Sequence, residues 1–228
     1  LLEEITPYQT SEEINNIKNL LEEIKEKEKQ REDLFNKAIS ESRFTSVSQI
    51  MKEEHKEEEE IKKDFSKTKE ENLGIYIGVL VHGVLEKVDI QNYSFEQAKM
   101  TLNSLESTIP DIYREAVIKK AQDILQKFEN SAIHNELKDS QILYKELPFT
   151  LYENGKFIEG RIDLIYKKND KIVVMDYKTN KYQTEEEKQK IIQAYEKQKE
   201  YYLKAVRKIF PEEKIDFKLG LLWKGEIV

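Results

Sequence analysis

The chain has 228 residues, enough for one large domain or for a domain with an appendage, and 36% of them are charged. Its 38 Lys and Arg stand against 45 Asp and Glu, a formal net charge of −7, so bulk charge excludes a general polyanion binder and any nucleic-acid contact needs a local basic patch or bound cations. Cysteine is absent, which excludes disulfides, zinc–thiolate sites and cysteine-ligated iron–sulfur clusters and fits a reducing cytoplasm. No apolar run approaches membrane-spanning length and no signal-peptide pattern is present. Because it begins at Leu1, the chain is expected to be a fragment of a longer polypeptide.

In chain order, residues 1–42 are expected to form a helical extension. Thr10 and Ser11 offer an N-cap after Pro7, Glu12 and Glu13 suit a first turn, and Ile14, Ile17, Leu21 and Ile24 recur at helical spacing. The texture changes at Arg43. There FTSVSQIMKEE offers Ser46 or Ser48 as a cap, and the charged stretch that follows, with His55 inside it, reads as a solvated helix or a mobile segment. GIYIGVLVHGVLEKVD predicts a buried helix built on Tyr76, Val79, Leu80, Gly83, Val84 and Leu85, with His82 one turn before Glu86. Residues Ser94 to Ala132 predict scaffold helices with a hinge at Pro110-Asp111 and a capping residue at Ser94; His134 belongs to the same scaffold.

Strands follow. QILYKELPFT carries Glu146, and Glu153-Asn154-Gly155 turns into a second strand from Phe157 to Tyr166. After the polar turn at Lys167–Asp170, KIVVMDY reads as a strand buried on both faces. The hairpin places Asp163 inside one strand and Asp176 near the end of its neighbour. Lys178 shares a face with Asp176, because strand side chains alternate with a period of two. Two carboxylates and an ammonium embedded in apolar sequence are costly to bury unless compensated. A hard divalent cation such as Mg²⁺ or Mn²⁺ would compensate them, and the lysine suits charge stabilisation at a phosphate; the alternative is a structural Asp–Lys pair. His82 is then the candidate third ligand. Glu146 either aims at the same ion or is a solvated residue on an edge strand.

Thr184 predicts the cap of a helix, IIQAYEKQKEYYLKAVRKIF, with Tyr195, Gln198 and Tyr202 on neighbouring turns and Pro211 beyond its end. Ten Lys and Arg face six Asp and Glu between Lys171 and Lys208, so a locally basic segment exists within an acidic chain. Its aromatic and amide side chains either pack or contact phosphates and unstacked bases. KIDFKLGLLWKGEIV closes the chain as a strand pair or an edge strand. No GxxxxGK[ST] phosphate loop occurs, so no ATP site is expected in this chain.

Six segments, FTSVSQI, GVLVHGVLE, KELPF, GRIDLI, DYKT and QKEYY, occur in an order that resembles the PD-(D/E)XK nuclease superfamily, specifically the RecB-type nuclease domain of AddA-like helicase–nuclease subunits. The resemblance covers roughly Phe44 to Val228. It implies an α/β, restriction-endonuclease-like core at residues 43–228, with a small mixed central sheet flanked by helices. Residues 1–42 would be the end of a preceding helicase region of the same polypeptide. It further implies a Mg²⁺-dependent deoxyribonuclease, with Mn²⁺ able to substitute, acting as an exonuclease on DNA ends or single strands and leaving a 5′-phosphate. Such a module would serve double-strand break repair by recombination beside an AddB-like partner subunit. By the same resemblance His82, Asp163, Asp176 and the Tyr177 carbonyl are metal ligands, and Lys178 orients the attacking water. Glu146, Gln198 and Tyr202 would support the site or contact the strand. Cas4-like and AddB-like relatives carry an iron–sulfur cluster that a chain without cysteine cannot hold, which favours the AddA side. The alternatives are a catalytically silent DNA-binding or docking module of the same fold and a helical interaction domain with a structural sheet.

Overall fold

A computed structural model describes residues 19–31, 44–56 and 69–228, and the chain divides into two units, Leu1–Arg43 and Phe44–Val228. In the first unit residues 19–31 form a helix, α1, with Leu20, Leu21 and Ile24 exposed along it. The predicted cap at Thr10-Ser11 and the stripe residues Ile14 and Ile17 lie outside the described residues, as does most of the charged stretch after His55. No helix among the described residues is long and apolar enough to cross a membrane.

The second unit opens with β1 (Phe44–Ser46) and α2 (Val47–Lys56). Ser46 is the cap. Its Oγ accepts from the Gln49 N–H at 3.1 Å while Gln49 Oε1 accepts from the Ser46 N–H at 2.9 Å, so two otherwise orphaned donors are satisfied reciprocally. Four helices follow: α3 (Lys69–Lys87), α4 (Phe95–Leu105), α5 (Asp111–Phe128) and α6 (Ala132–Lys138). The buried stripe of α3 is Leu80, Val81, Val84 and Leu85; Val79, predicted to join it, points off that stripe and is 57% exposed.

Strands β2 (Gln141–Glu153), β3 (Lys156–Lys168) and β4 (Lys171–Lys178) form an antiparallel meander. Its two-residue turns are Asn154-Gly155 and Asn169-Asp170, all four with φ between 50° and 80°, the mirror-image turn whose twist matches that of the flanking strands. Two helices, α7 (Glu185–Ala194) and α8 (Glu196–Ile209), then lead to β5 (Lys214–Leu221), parallel to β4, and to the short antiparallel β6 (Glu226–Ile227). Thr184 caps α7 with the full reciprocal box to Glu187. The helix predicted to be continuous past Thr184 is in fact two: Tyr195, at φ −107° and ψ 4°, ends α7 and begins α8.

The result is a mixed six-stranded sheet covered by helices on both faces. β4 shows why its sequence is apolar throughout. Val173, Met175 and Tyr177 enter a core with α3, α4, α5 and α6, while Ile172 and Val174 enter a second core with Tyr201, Tyr202, Ala205 and Val206 of α8. Each fully buried aliphatic side chain there contributes about 1.5–3 kcal/mol. A strand sandwiched in this way keeps whatever polar groups it carries out of bulk water, which is what gives Asp176 and Lys178 their unusual setting.

One polar knot ties the layers together away from that setting. Glu136 on α6 accepts from the Tyr166 hydroxyl at 3.0 Å, from Lys168 Nζ at 3.1 Å and from Lys218 Nζ. Burial raises its pKa, but the hydrogen bonds from Lys218, Lys168 and Tyr166 outweigh that and hold it below the ordinary value. A carboxyl whose folded-state pKa is depressed adds stability above its unfolded pKa and loses it as the pH falls through the folded value. Glu136→Gln is therefore expected to destabilise by about 2 kcal/mol at neutral pH. The difference from the parent should shrink as the pH falls below the ordinary carboxylate range toward the depressed folded value, which urea unfolding at neutral and acidic pH checks.

Candidate active site

β3 and β4 stay paired as far as Leu164 and Met175, and Asp163 sits one residue beyond that last pair. Its Oδ2 accepts from the Tyr177 N–H at 2.6 Å, so the carboxylate carries on a ladder that the backbones have left. The other oxygen faces α3. His82 Nδ1 lies 3.4 Å from Asp163 Oδ1 and 4.0 Å from Glu146 Oε1. Glu146 comes from β2, between the Lys145–Leu164 and Leu147–Ile162 pairs, with a φ of 49°. A non-glycine residue in that region within a strand stores about 1–3 kcal/mol of strain. In return its side chain, only 16% exposed, turns into the cluster and not toward solvent along the sheet edge.

Ligand atoms of His82, Glu146 and Asp163 all lie within 4.8 Å of one another. Their electrostatics follow from that crowding. Burial and the neighbouring Asp163 raise the Glu146 pKa. Burial opposes charge on His82 and on Asp163, but each partner's attraction for the other wins, raising the histidine and lowering the aspartate. One imidazole nitrogen and two carboxylate oxygens fit a hard divalent cation, and a cation between the two acids would relieve the repulsion that Glu146 bears.

Asp176 and Lys178 form the second half of the site. Asp176 is 1% exposed; burial pushes its pKa up to about 7, with Lys178 opposing the rise and Asp163 adding to it. Lys178 Nζ is 2.7 Å from Asp176 Oδ2, donates to Gln198 Oε1 at 2.9 Å and lies 4.0 Å from the centre of the Tyr195 ring. Gln198 Nε2 donates in turn to the Tyr202 hydroxyl at 2.6 Å, which donates to the Arg161 carbonyl. This chain of contacts ties the lysine of β4 to α8 through Gln198 and α8 to β3 through Tyr202, and it fixes where the ammonium can point. The helix break at Tyr195 is part of it, since the ring under the lysine belongs to the residue at the break.

The structure thus brings His82, Glu146 and Asp163 together as one cluster and sets Asp176 beside it, paired with Lys178 and electrostatically coupled to Asp163 and His82. Tyr177 reaches the cluster through its N–H and through its ring, edge-on to His82 with centres 6.1 Å apart. Gln198 and Tyr202 stand behind Lys178. His134 is a buried scaffold residue whose Nδ1 lies 2.7 Å from the Glu129 carbonyl oxygen. Arg161, with Nε 3.9 Å from Glu146 Oε2, was not among the predicted residues. Nothing in its local sequence marks it, because its partner lies on another strand.

A cleft of about 820 Å³ opens onto His82, Tyr177, Lys178 and Tyr195. Comparison with known proteins matches residues 55–224 to the PD-(D/E)XK nuclease superfamily. The A-subunit of the ATP-dependent helicase/nuclease of Clostridium novyi is 30% identical over 172 residues, 65% of this chain and 13% of that protein. Its counterparts from Clostridium acetobutylicum and Streptococcus suis, which bear the same name, are 25% identical over 172 residues and 27% identical over 168 residues, covering 66% and 70% of this chain and 13% of each relative. The chain therefore spans about 13% of the length of these relatives. With that match extending over most of a mixed sheet whose parted strands carry the two acids and the lysine, the chain belongs to the PD-(D/E)XK nuclease superfamily.

Proposed function

We propose that this chain is the nuclease module of a larger helicase–nuclease, a Mg²⁺-dependent deoxyribonuclease in which Mn²⁺ can substitute. The observation that carries the reading is the convergence of His82, Glu146 and Asp163 beside a buried, oriented Lys178. His82, Glu146 and Asp163 would hold the ion, with Asp176 and the Tyr177 carbonyl as the further donors. A divalent cation held there supplies Lewis-acid stabilisation of the scissile phosphate and lowers the pKa of water at neutral pH. The chain's own contribution is positional. Asp176, Gln198 and Tyr195 fix the Lys178 ammonium where negative charge develops on the phosphate oxygens, at a largely buried position on the cleft wall where the lower dielectric strengthens the attraction. Asp163 is fixed in turn by the Tyr177 N–H, which keeps one carboxylate oxygen aimed at the cluster.

The relatives are named as ATP-dependent helicase/nucleases and are far longer than this chain. Their likeness supports residues 1–42 as the end of a helicase region, residues 43–228 as the nuclease domain, and an AddB-like protein as the partner subunit. The same likeness supports exonuclease action on DNA ends or single strands leaving a 5′-phosphate, in cytoplasmic repair of double-strand breaks by recombination. Incubation with linear single- and double-stranded DNA tests the reading. Cleavage is expected with Mg²⁺ or Mn²⁺ and none in EDTA; binding without cleavage in either metal would instead favour a silent DNA-binding module of the same fold.

A further inference from the structure

We propose that the end of the cleft away from the acids is a base-stacking subsite, in which Trp223 takes a nucleobase of a single DNA strand and Lys120, Lys127 and Lys181 hold the neighbouring phosphates. The proposal rests on the nuclease reading only in taking DNA as the occupant of the cleft. Trp223 is the sole tryptophan of the chain. It follows β5 and packs against two core clusters, so the indole is held in place on its inner side and is partly open on the other.

Cations border the ring, although Asp123 lies three residues from Lys120 and four from Lys127 on the same side of α5, and Lys181 also attracts Glu187. Lys127 Nζ lies 5.1 Å from the ring centre, and Lys120 and Lys181 each 5.8 Å. All three ammonium groups lie over the indole at cation–π range, farther out than the 4.0 Å at which Lys178 rests on Tyr195, so a base that stacks there displaces lysine ends that can then reach its neighbouring phosphates. All three are exposed, and none forms an ion pair with a carboxylate among the described residues. Lys120 and Lys127 lie seven residues apart on α5 and therefore on one side of that helix, while Lys181 arrives from the segment after β4. Three like charges brought together from two elements repel one another, and a polyanion relieves that repulsion. An indole amid cations suits a strand that offers both a flat base and a charged backbone. A duplex keeps its bases stacked inside and offers only the backbone.

Continuity with the acids completes the case. Trp223, Lys120 and Lys181 line the same cleft as His82, Lys178 and Tyr195, so a strand seated on the indole is led directly toward the reacting groups. In a chain of net charge −7, this local basic rim offers a strand electrostatic capture beside the reacting groups.

Because Trp223 is the only tryptophan, its emission reports the subsite without labelling. Titration of the chain in EDTA with a short oligothymidylate should quench Trp223 emission saturably. An abasic strand of equal length should bind at least about tenfold more weakly, and so should the oligothymidylate to a Trp223→Phe protein. Replacing the three exposed lysines together, K120Q, K127Q and K181Q, should weaken binding and reduce the salt dependence of log affinity by about two, since each phosphate contact to a single strand contributes about 0.7. Unchanged emission while a labelled oligothymidylate binds, equal binding of the abasic strand, or an unaltered salt slope in the triple variant would each overturn the subsite. A chain that binds and quenches as described but never cuts in Mg²⁺ leaves the subsite standing and removes the nuclease reading; cutting without quenching does the reverse.

Discussion

A Lys178→Ala protein is expected to keep its fold and its affinity for Mn²⁺ and to cleave DNA about 10²–10³-fold more slowly, the loss typical of removing one well-placed group that stabilises transition-state charge. Retention of the fold is not obvious, because the substitution strips a buried carboxylate of its partner, a change that leaves an uncompensated charge when the group must stay ionised. Asp176 need not stay ionised. Its pKa already stands at about 7 with the lysine in place, and without that opposing charge burial raises it further, so the carboxyl can hold a proton in the folded chain until a cation displaces it. Gln198 keeps its bond to the Tyr202 hydroxyl, so α8 remains anchored to β3. Calorimetric titration with Mn²⁺ beside a gel assay of cleavage separates the two roles, and cleavage comparable to the parent's would remove Lys178 from the reaction.

Asp163→Asn is expected to abolish cleavage and to weaken cation binding together. The substitution is nearly isosteric, and the amide oxygen can still accept from the Tyr177 N–H, so the parted strands keep their bridge. What is lost is the charge that holds His82 at 3.4 Å and places a second anionic oxygen within the cluster. Since even an outer partner of a metal ligand costs about 10–100-fold in affinity or activity, removal of the charged ligand should cost more than that on both readouts. Circular dichroism should stay that of the parent. An Asp163→Asn protein that binds Mn²⁺ normally but fails to cut would move Asp163 out of the ligand set.

Local chemistry made a large part of this arrangement readable from the residues alone. Asn154-Gly155 and Asn169-Asp170 mark two-residue turns wherever they stand, and together they specify the meander of β2, β3 and β4. The shared face of Asp176 and Lys178 follows from parity within one strand and needs no register, and Thr184 with Glu187 makes a box over three residues. What escaped depends on partners distant in the chain. The break at Tyr195 puts a ring under Lys178, an advantage that exists only once β4 and α8 are packed. The positive φ of Glu146 has no signal in KELPF, because the strain is sustained by the pairs on either side of it. Val79 was misplaced because four apolar residues in six, from Val79 to Val84, leave the phase of a helical stripe undetermined until the neighbouring helices choose it. Trp223 reads as an ordinary strand-end aromatic until α5 brings its lysines alongside.

The most direct test is anomalous diffraction from a crystal of the chain soaked in Mn²⁺. The expected map has an anomalous peak bonded to the side chains of His82, Glu146 and Asp163, with Lys178 still paired to Asp176 or turned toward an adjoining phosphate. A map with no peak among those three side chains, or with the imidazole and the carboxylates directed away from one another, would contradict the cation site from which the proposed chemistry is built.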